Sequence, residues 1–184
     1  MPDVVIRRAT IEDAPKIALL TRRAMLSYQE DSGIKGNVLE SLTESIESVE
    51  ERITTGRCLC LYDGDNILGT ITITRCPNPM KYSFSRKTEE FLSSFSSCGY
   101  ISRFAVAVEL RKTGLGRKLL DAALSSPETD GTGLVLLHTA IANTRMTNFY
   151  LNRGFDLIDT EKSRGYERGL FAFDVPFKES DILE

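Results

Sequence analysis

The chain has 184 residues, 41% apolar and 27% charged, the size and mix of one globular domain rather than two. That length buries a core without disulfides or a structural metal, and its aliphatic content excludes disorder as the default state. Lys and Arg number 23 against 26 Asp and Glu, a formal charge of −3, so the chain is a poor general binder of nucleic acid, whose affinity rests on neutralised phosphates.

Val4-Val5-Ile6 followed by two arginines reads as a short first strand. Thr10 and Asp13 form a capping-box pattern, and Ile17, Leu20, Ala24 and Tyr28 recur at helical spacing, so the first helix is predicted to run to about Tyr28. Leu39, Leu42, Ile46, Val49 and Ile53 step by three and four, which predicts one apolar stripe on a second helix. Cys58 to Tyr62 and Ile67 to Thr74, joined by Asp63-Gly64-Asp65-Asn66, predict a hairpin. Residues 76–98 are irregular. Phe84, Phe91, Leu92 and Phe95 suggest a short amphipathic helix in this insertion, which is either a lid over a site or a surface excursion covering the core. Strand 100–108, a helix from Gly114 to about Ser126, strand 134–139, helix 143–152, strand 155–160, a polar stretch at 161–169 and a last strand at 170–175 follow. The acidic tail after Pro176 is expected to fray. The order β-α-α-β-β-β-α-β-α-β-β is a mixed α/β single domain spanning 1–184.

No apolar run approaches the roughly 18 residues of a membrane span, and Met1-Pro2-Asp3 has neither the basic start nor the apolar core of a signal peptide. Cys58, Cys60, Cys76 and Cys98 lack Cys-x-x-Cys spacing, and the single histidine, His138, is remote from them. The expectation is four free thiols in a reducing cytoplasm, with no metal site, membrane contact or nucleic-acid partner.

Chemistry gathers after strand 100–108. Arg111-Lys112-Thr113-Gly114-Leu115-Gly116-Arg117 joins that strand to a helix. Glycines let backbone N–H groups approach a ligand, a helix N-terminus carries partial positive charge, and the basic side chains add more, so a pyrophosphate suits this turn. A strand-to-helix turn that merely needs small residues would look the same. There is no Walker Gly-x-x-x-x-Gly-Lys run, and Leu119 stands where a Rossmann fingerprint needs its third glycine.

The second motif follows strand 134–139: Asn143, then Phe149-Tyr150-x-x-x-Gly154-Phe155. With Arg111-x-x-Gly114-x-Gly116, one helix and one strand earlier, the chain resembles the GNAT superfamily of acyl-CoA N-acyltransferases over residues 99–160. The resemblance implies a mixed central sheet of six to seven strands, splayed open at the CoA site and flanked by about four helices. It implies acetyl-CoA as co-substrate, with its pantetheine arm between strands 100–108 and 134–139 on the backbone of Phe104 and Val106. The pyrophosphate would rest on Arg111, Lys112, Thr113, Gly114, Leu115, Gly116 and Arg117. Asn143 would touch the pantetheine, cap the following helix, or both. Tyr150 would protonate the departing thiolate, unless its ring is simply core.

Some members of the family the chain resembles carry a Glu or His as base on the strand corresponding to 100–104. Here that strand offers Tyr100 and Ser102. The candidates for proton removal are His138 on the adjacent strand, whose side chain could face either way, and a water chain. Met146 stands where a smaller residue is usual. Glu30, Asp31 and Glu44 are expected to favour a cationic acceptor. The expected reaction is acetyl transfer to a primary amine, of a small molecule or a protein, by a monomer or homodimer. A non-catalytic acyl-CoA sensor, or a nucleotide-binding domain without CoA, are the rival readings.

Overall fold

A computed structural model describes residues 4–36 and 38–175. The strands are β1 (Val5–Arg8), β2 (Arg57–Asp63), β3 (Asn66–Cys76), β4 (Cys98–Val106), β5 (Leu134–Ala140), β6 (Asp156–Ser163) and β7 (Tyr166–Asp174). The helices are α1 (Ala14–Ser32), α2 (Ile46–Thr55), α3 (Arg86–Leu92), α4 (Leu115–Leu124) and α5 (Thr144–Arg153). The seven strands form one sheet in the order β1-β2-β3-β4-β5-β7-β6. Every neighbouring pair is antiparallel except β4 and β5, which run parallel.

Strand β2 shows why the layers form. Its alternate residues Cys58, Cys60 and Tyr62 face α1 and α2, where they meet Ile17, Val49 and Ile53. Leu59 and Leu61 face the other way, toward Leu119 and Leu120 of α4 and Tyr150 of α5. A strand buried on both faces reads as a continuous apolar run, which is what residues 58–62 are. All four cysteines are buried free thiols. Among the described residues no helix is long and apolar enough to cross a membrane, and no cluster of His, Cys, Asp or Glu could hold a metal ion.

Two expectations change. The 39–53 stripe is not one helix: α2 starts at Ile46, capped by Ser45, whose hydroxyl accepts from Ser48 N–H at 3.2 Å. A serine that caps ends the period upstream of it. Leu39 and Leu42 instead join a small cluster with Ile34, Tyr28, Ala140 and Tyr166. The first helix runs a turn further than predicted, to Ser32, and stops at Gly33 with φ 63°. The short helix suggested inside the 76–98 insertion is α3, which brings the helices to five. The tail expected at 177–184 lies outside the described residues.

Candidate active site

The sheet opens between β4 and β5. Their pairing is limited to Gly99↔Val135 and Tyr100↔Leu136. Gly99 permits that close approach, since a Cβ there would come within 3.2 Å of Val135 and 3.3 Å of Ile73. Beyond Tyr100 the strands part. On its other edge β4 carries one extra residue, because Thr72 pairs with Ser102 but Thr70 with Ala105. The bulge holds Arg103 at φ 50°. Bulges end pairing and re-aim side chains. The result is a cleft of about 720 Å³ lined by β4, β5, α1, α5 and the turn into α4. The described non-glycine residues with positive φ, Arg103, Lys112 and Arg164, all line it. Such strained backbone clusters at functional sites.

One end of the cleft is the turn into α4. Lys112, Gly114, Gly116 and Arg117 line it. Gly114, at φ 86°, swings the chain into the helix, and Thr113 closes the turn by donating from its hydroxyl to Leu110 O at 2.6 Å. The first N–H groups of α4 have no intrahelical partner and face this end, with the helix dipole behind them. Leu115 packs against the core instead. Arg111 lines the cleft but turns its guanidinium to α1, donating to Ser27 Oγ at 2.7 Å and lying 3.9 Å from Asp31.

Along the middle lie Phe104 and Val106, whose strand edge facing β5 is unpaired. Asn143 is 1% exposed and does not line the cleft. Its Oδ1 accepts from Met146 N–H at 3.1 Å, capping α5, and its Nδ2 donates to Ser32 Oγ at 3.1 Å. Both polar ends of that side chain are thus engaged in tying α5 to the last turn of α1.

Tyr150 sits under α5 with its ring among Phe104, Phe149, Phe155 and Phe171. It lines the cleft, and among the described residues its hydroxyl has no hydrogen-bond partner. Burial raises its pKa above that of a free phenol, so the hydroxyl keeps its proton. His138 points into the cleft, and its Nδ1 is 2.7 Å from the Tyr100 hydroxyl. Its Nε2 is buried without a partner among the described residues. Burial, then the charge of Arg168, pushes the imidazole down to about 4, so it is neutral at pH 7. Burial pushes the Tyr100 phenol up to about 12, against the opposing pull of Arg168, Arg103 and Arg164.

Sequence reasoning missed the walls of this second end. Tyr82, from the insertion, stacks on Tyr100 with ring centroids 4.2 Å apart, and Phe84 lies 5.1 Å from the His138 ring. The insertion thus packs directly on the Tyr100–His138 pair. Tyr28, at the end of α1, accepts from Ala140 N–H at 2.6 Å and lies 3.1 Å from Thr139 Oγ1, holding the end of β5. Arg103, Arg164 and Arg168 complete the wall. The 161–169 stretch, read as polar connection, is the turn and paired ends of β6 and β7. Its alternating polar residues carry Arg164, Tyr166 and Arg168 to the cleft.

The acidic residues expected to draw a cation do not line the cleft. Glu44, whose side chain is 6% exposed, accepts from Arg52 at 2.9 Å and from Arg103 at 3.1 Å. Asp31 pairs with Arg145 and Arg111, and Glu30 is exposed on the outside of α1.

The fold as a whole is shared with solved acetyltransferase structures. The PaiA N-acetyltransferase of Thermoplasma acidophilum, solved in complex with coenzyme A, matches with a TM-score of 0.70 over 94% of this chain and 99% of that one, at 17% identity. The yncA protein of Salmonella typhimurium, solved with its cofactor acetyl-CoA, matches with a TM-score of 0.66 over 96% of each chain, at 14% identity. In sequence, N-alpha-acetyltransferase 50 of Danio rerio is 35% identical over 65 residues, which are 35% of this chain and 39% of that protein. The acetyltransferase (GNAT) family model matches residues 24–155, and the chain belongs to that family.

Proposed function

We propose that this protein transfers an acetyl group from acetyl-CoA to a primary amine, by direct attack while donor and acceptor share the cleft. The observation that carries the reading is the Tyr100–His138 hydrogen bond facing the same cleft as the unpartnered Tyr150 hydroxyl. It supplies a path for taking a proton and a separate group for giving one.

The residues present fit the donor. The N–H groups from Lys112 to Arg117, with the Lys112 and Arg117 side chains, would hold the pyrophosphate. The open edge of β4 at Phe104 and Val106 would hydrogen-bond the pantetheine as a further strand does. Acetyl-CoA supplies a thioester carbonyl for the amine to attack. An alkylamine has a pKa near 10 and must lose a proton to react. The Tyr100 oxygen accepts that proton as its own moves to Nδ1 of His138, whose ring is neutral and so has a lone pair open to take it. A backbone N–H at Phe104 or Val106 faces the charge growing on the carbonyl oxygen. Tyr150, protonated at neutral pH, donates to the sulfur that leaves.

The test is thiol release from acetyl-CoA over a panel of amines and amino-terminal peptides, with acetyl-CoA binding measured by calorimetry. Turnover on one class supports the reading. Tight binding without turnover on any amine favours a sensor that binds acyl-CoA, and absence of both removes the assignment of the Arg111–Gly116 turn.

A further inference from the structure

No aspartate or glutamate lines the cleft among the described residues, whereas Arg103, Arg164 and Arg168 converge on its acceptor end beside the Tyr100–His138 pair. They arrive from separate elements, one from the β4 bulge and two from the β6–β7 hairpin. Their carboxylate partners lie behind them. Arg103 donates from Nε to Glu44 and is 4.0 Å from Glu40; Arg164 pairs with Glu40 at 2.9 Å; Arg168 binds Glu161 through Nε at 2.8 Å and Nη2 at 2.6 Å. Glu44 is shared with Arg52, so the acids do not cancel the cations one for one. Each partner takes one side of a planar fork. Nη1 of Arg103 and Nη1 of Arg168 have no partner among the described residues. Arg168 is further fixed over the Phe84 ring, 5.3 Å from its centroid. The side chains of Arg103 and Arg168 are 27% and 22% exposed, so the forks are held in place and partly dried.

A free arginine fork aimed into a cleft recognises an oxyanion. Resting on the acetyl-transfer reading above, we propose that the acceptor is an amine that also carries an oxyanion, a carboxylate or phosphate, and that Arg168, Arg164 and Arg103 bind that group while the nitrogen meets Tyr100. A polyamine or an aminoglycoside would bring extra positive charge into a wall that has no acid to receive it. The oxyanion does a second job. The Arg168 charge helps hold the His138 ring neutral, so an anion seated on Arg168 offsets that field and makes the ring a better proton acceptor when the acceptor is bound.

The experiment compares kcat/KM for matched amines differing by one oxyanion: glucosamine 6-phosphate against glucosamine, glycine against glycinamide, and a peptide amide beginning Met-Asp against one beginning Met-Asn. Spermidine is the cationic control. At least one charged member is expected to exceed its neutral partner by about tenfold, and which pair does so separates phosphate, small carboxylate and acidic peptide as the source. Arg168→Gln and Arg164→Gln should each collapse that ratio toward one, while Arg168→Lys, which keeps the charge and loses the fork, retains only part of it. The same amines are titrated by calorimetry into the protein saturated with CoA. Binding of a charged member that depends on Arg168, without acetyl transfer, keeps this proposal and removes the transfer reading. Transfer to neutral amines or spermidine at equal or higher efficiency keeps the transfer reading and overturns this proposal. Neither binding nor transfer of any charged member also overturns it.

Discussion

One end of the cleft comes from a short run of chain, residues 104–117, and the other is assembled from distant pieces: Tyr28, Tyr82 and Phe84, Arg103, His138, and the hairpin carrying Arg164 and Arg168. The first depends on backbone, on N–H groups bared by a glycine turn and a strand edge left unpaired. The second depends on side chains held by long-range contacts, such as Glu44 bridging Arg52 of α2 and Arg103 of β4. A local end survives changes elsewhere in the molecule. A distributed end is only as well placed as the ion pairs and ring stacks that collect it.

The sharpest way to break this division is at Tyr150, where the two ends meet. Tyr150→Phe keeps the ring in its aromatic cluster and removes the hydroxyl proposed above as the proton donor. We expect kcat to fall by about 10²–10³-fold, with CoA affinity changed by less than about threefold; thiol-release kinetics and calorimetry read the two. A fall below tenfold would make Tyr150 a packing residue.

Glu44→Gln tests the distributed end. It leaves two arginines sharing a neutral partner in a largely buried site, and the expected loss is about 3 kcal/mol in urea unfolding. The acceptor KM should rise and the CoA Kd should hold. A loss under about 1 kcal/mol would put the triad among ordinary surface pairs.

His138→Gln should lower kcat/KM by about 10–100-fold. It should also flatten the pH dependence of stability. The imidazole pKa is about 4 when folded, against 6.5 for the free side chain, so below pH 6.5 the unfolded chain takes up the proton first. Stability is therefore complete above pH 6.5 and declines toward pH 4, by at most about 1.4 kcal/mol per pH unit. Denaturation midpoints of the two proteins between pH 4 and 7 check this.

The smallest effect belongs to the local end. A Cβ at Gly116 would lie 3.5 Å from the Phe104 ring and 3.6 Å from Val106, which are ordinary contacts. Gly116→Ala should keep the melting temperature within about 2 °C and raise the CoA Kd by about tenfold. Unchanged binding would mean that ligand backbone and protein backbone do not approach there.

The same division explains what the sequence disclosed. The glycine turn, the strand before it and the Asn143–Tyr150 spacing are each short runs of chain, so the motifs themselves read directly from residue order. Most strands and helices followed from apolar periods, whereas the splay of the sheet was an expectation carried by the family resemblance alone. Tyr100 and His138 could be named but not joined, because a strand residue's face depends on register. The wall of Arg103, Arg164 and Arg168 was hidden for three reasons. A bulge turns Arg103, a polar hairpin with one exposed edge lacks an apolar alternation, and nothing in residue order says that Glu44 spends its charge inward. The Leu39–Ile53 period misled because two leucines at helical spacing serve a loop cluster equally well.

Within the sheet, two residue pairs, Gly99 with Val135 and Tyr100 with Leu136, join the strands β1 to β4 to the strands β5, β7 and β6. The sheet is thus a pair of tongs closed at one end. A molecule lying between the jaws and bonded to both bridges the two blades, so stiffness becomes a property of occupancy. Thermal stability should climb with ligand concentration, by about 2.7 kcal/mol at one hundred times Kd. Amide exchange along the two facing edges should slow in concert, a record of the jaws being held shut.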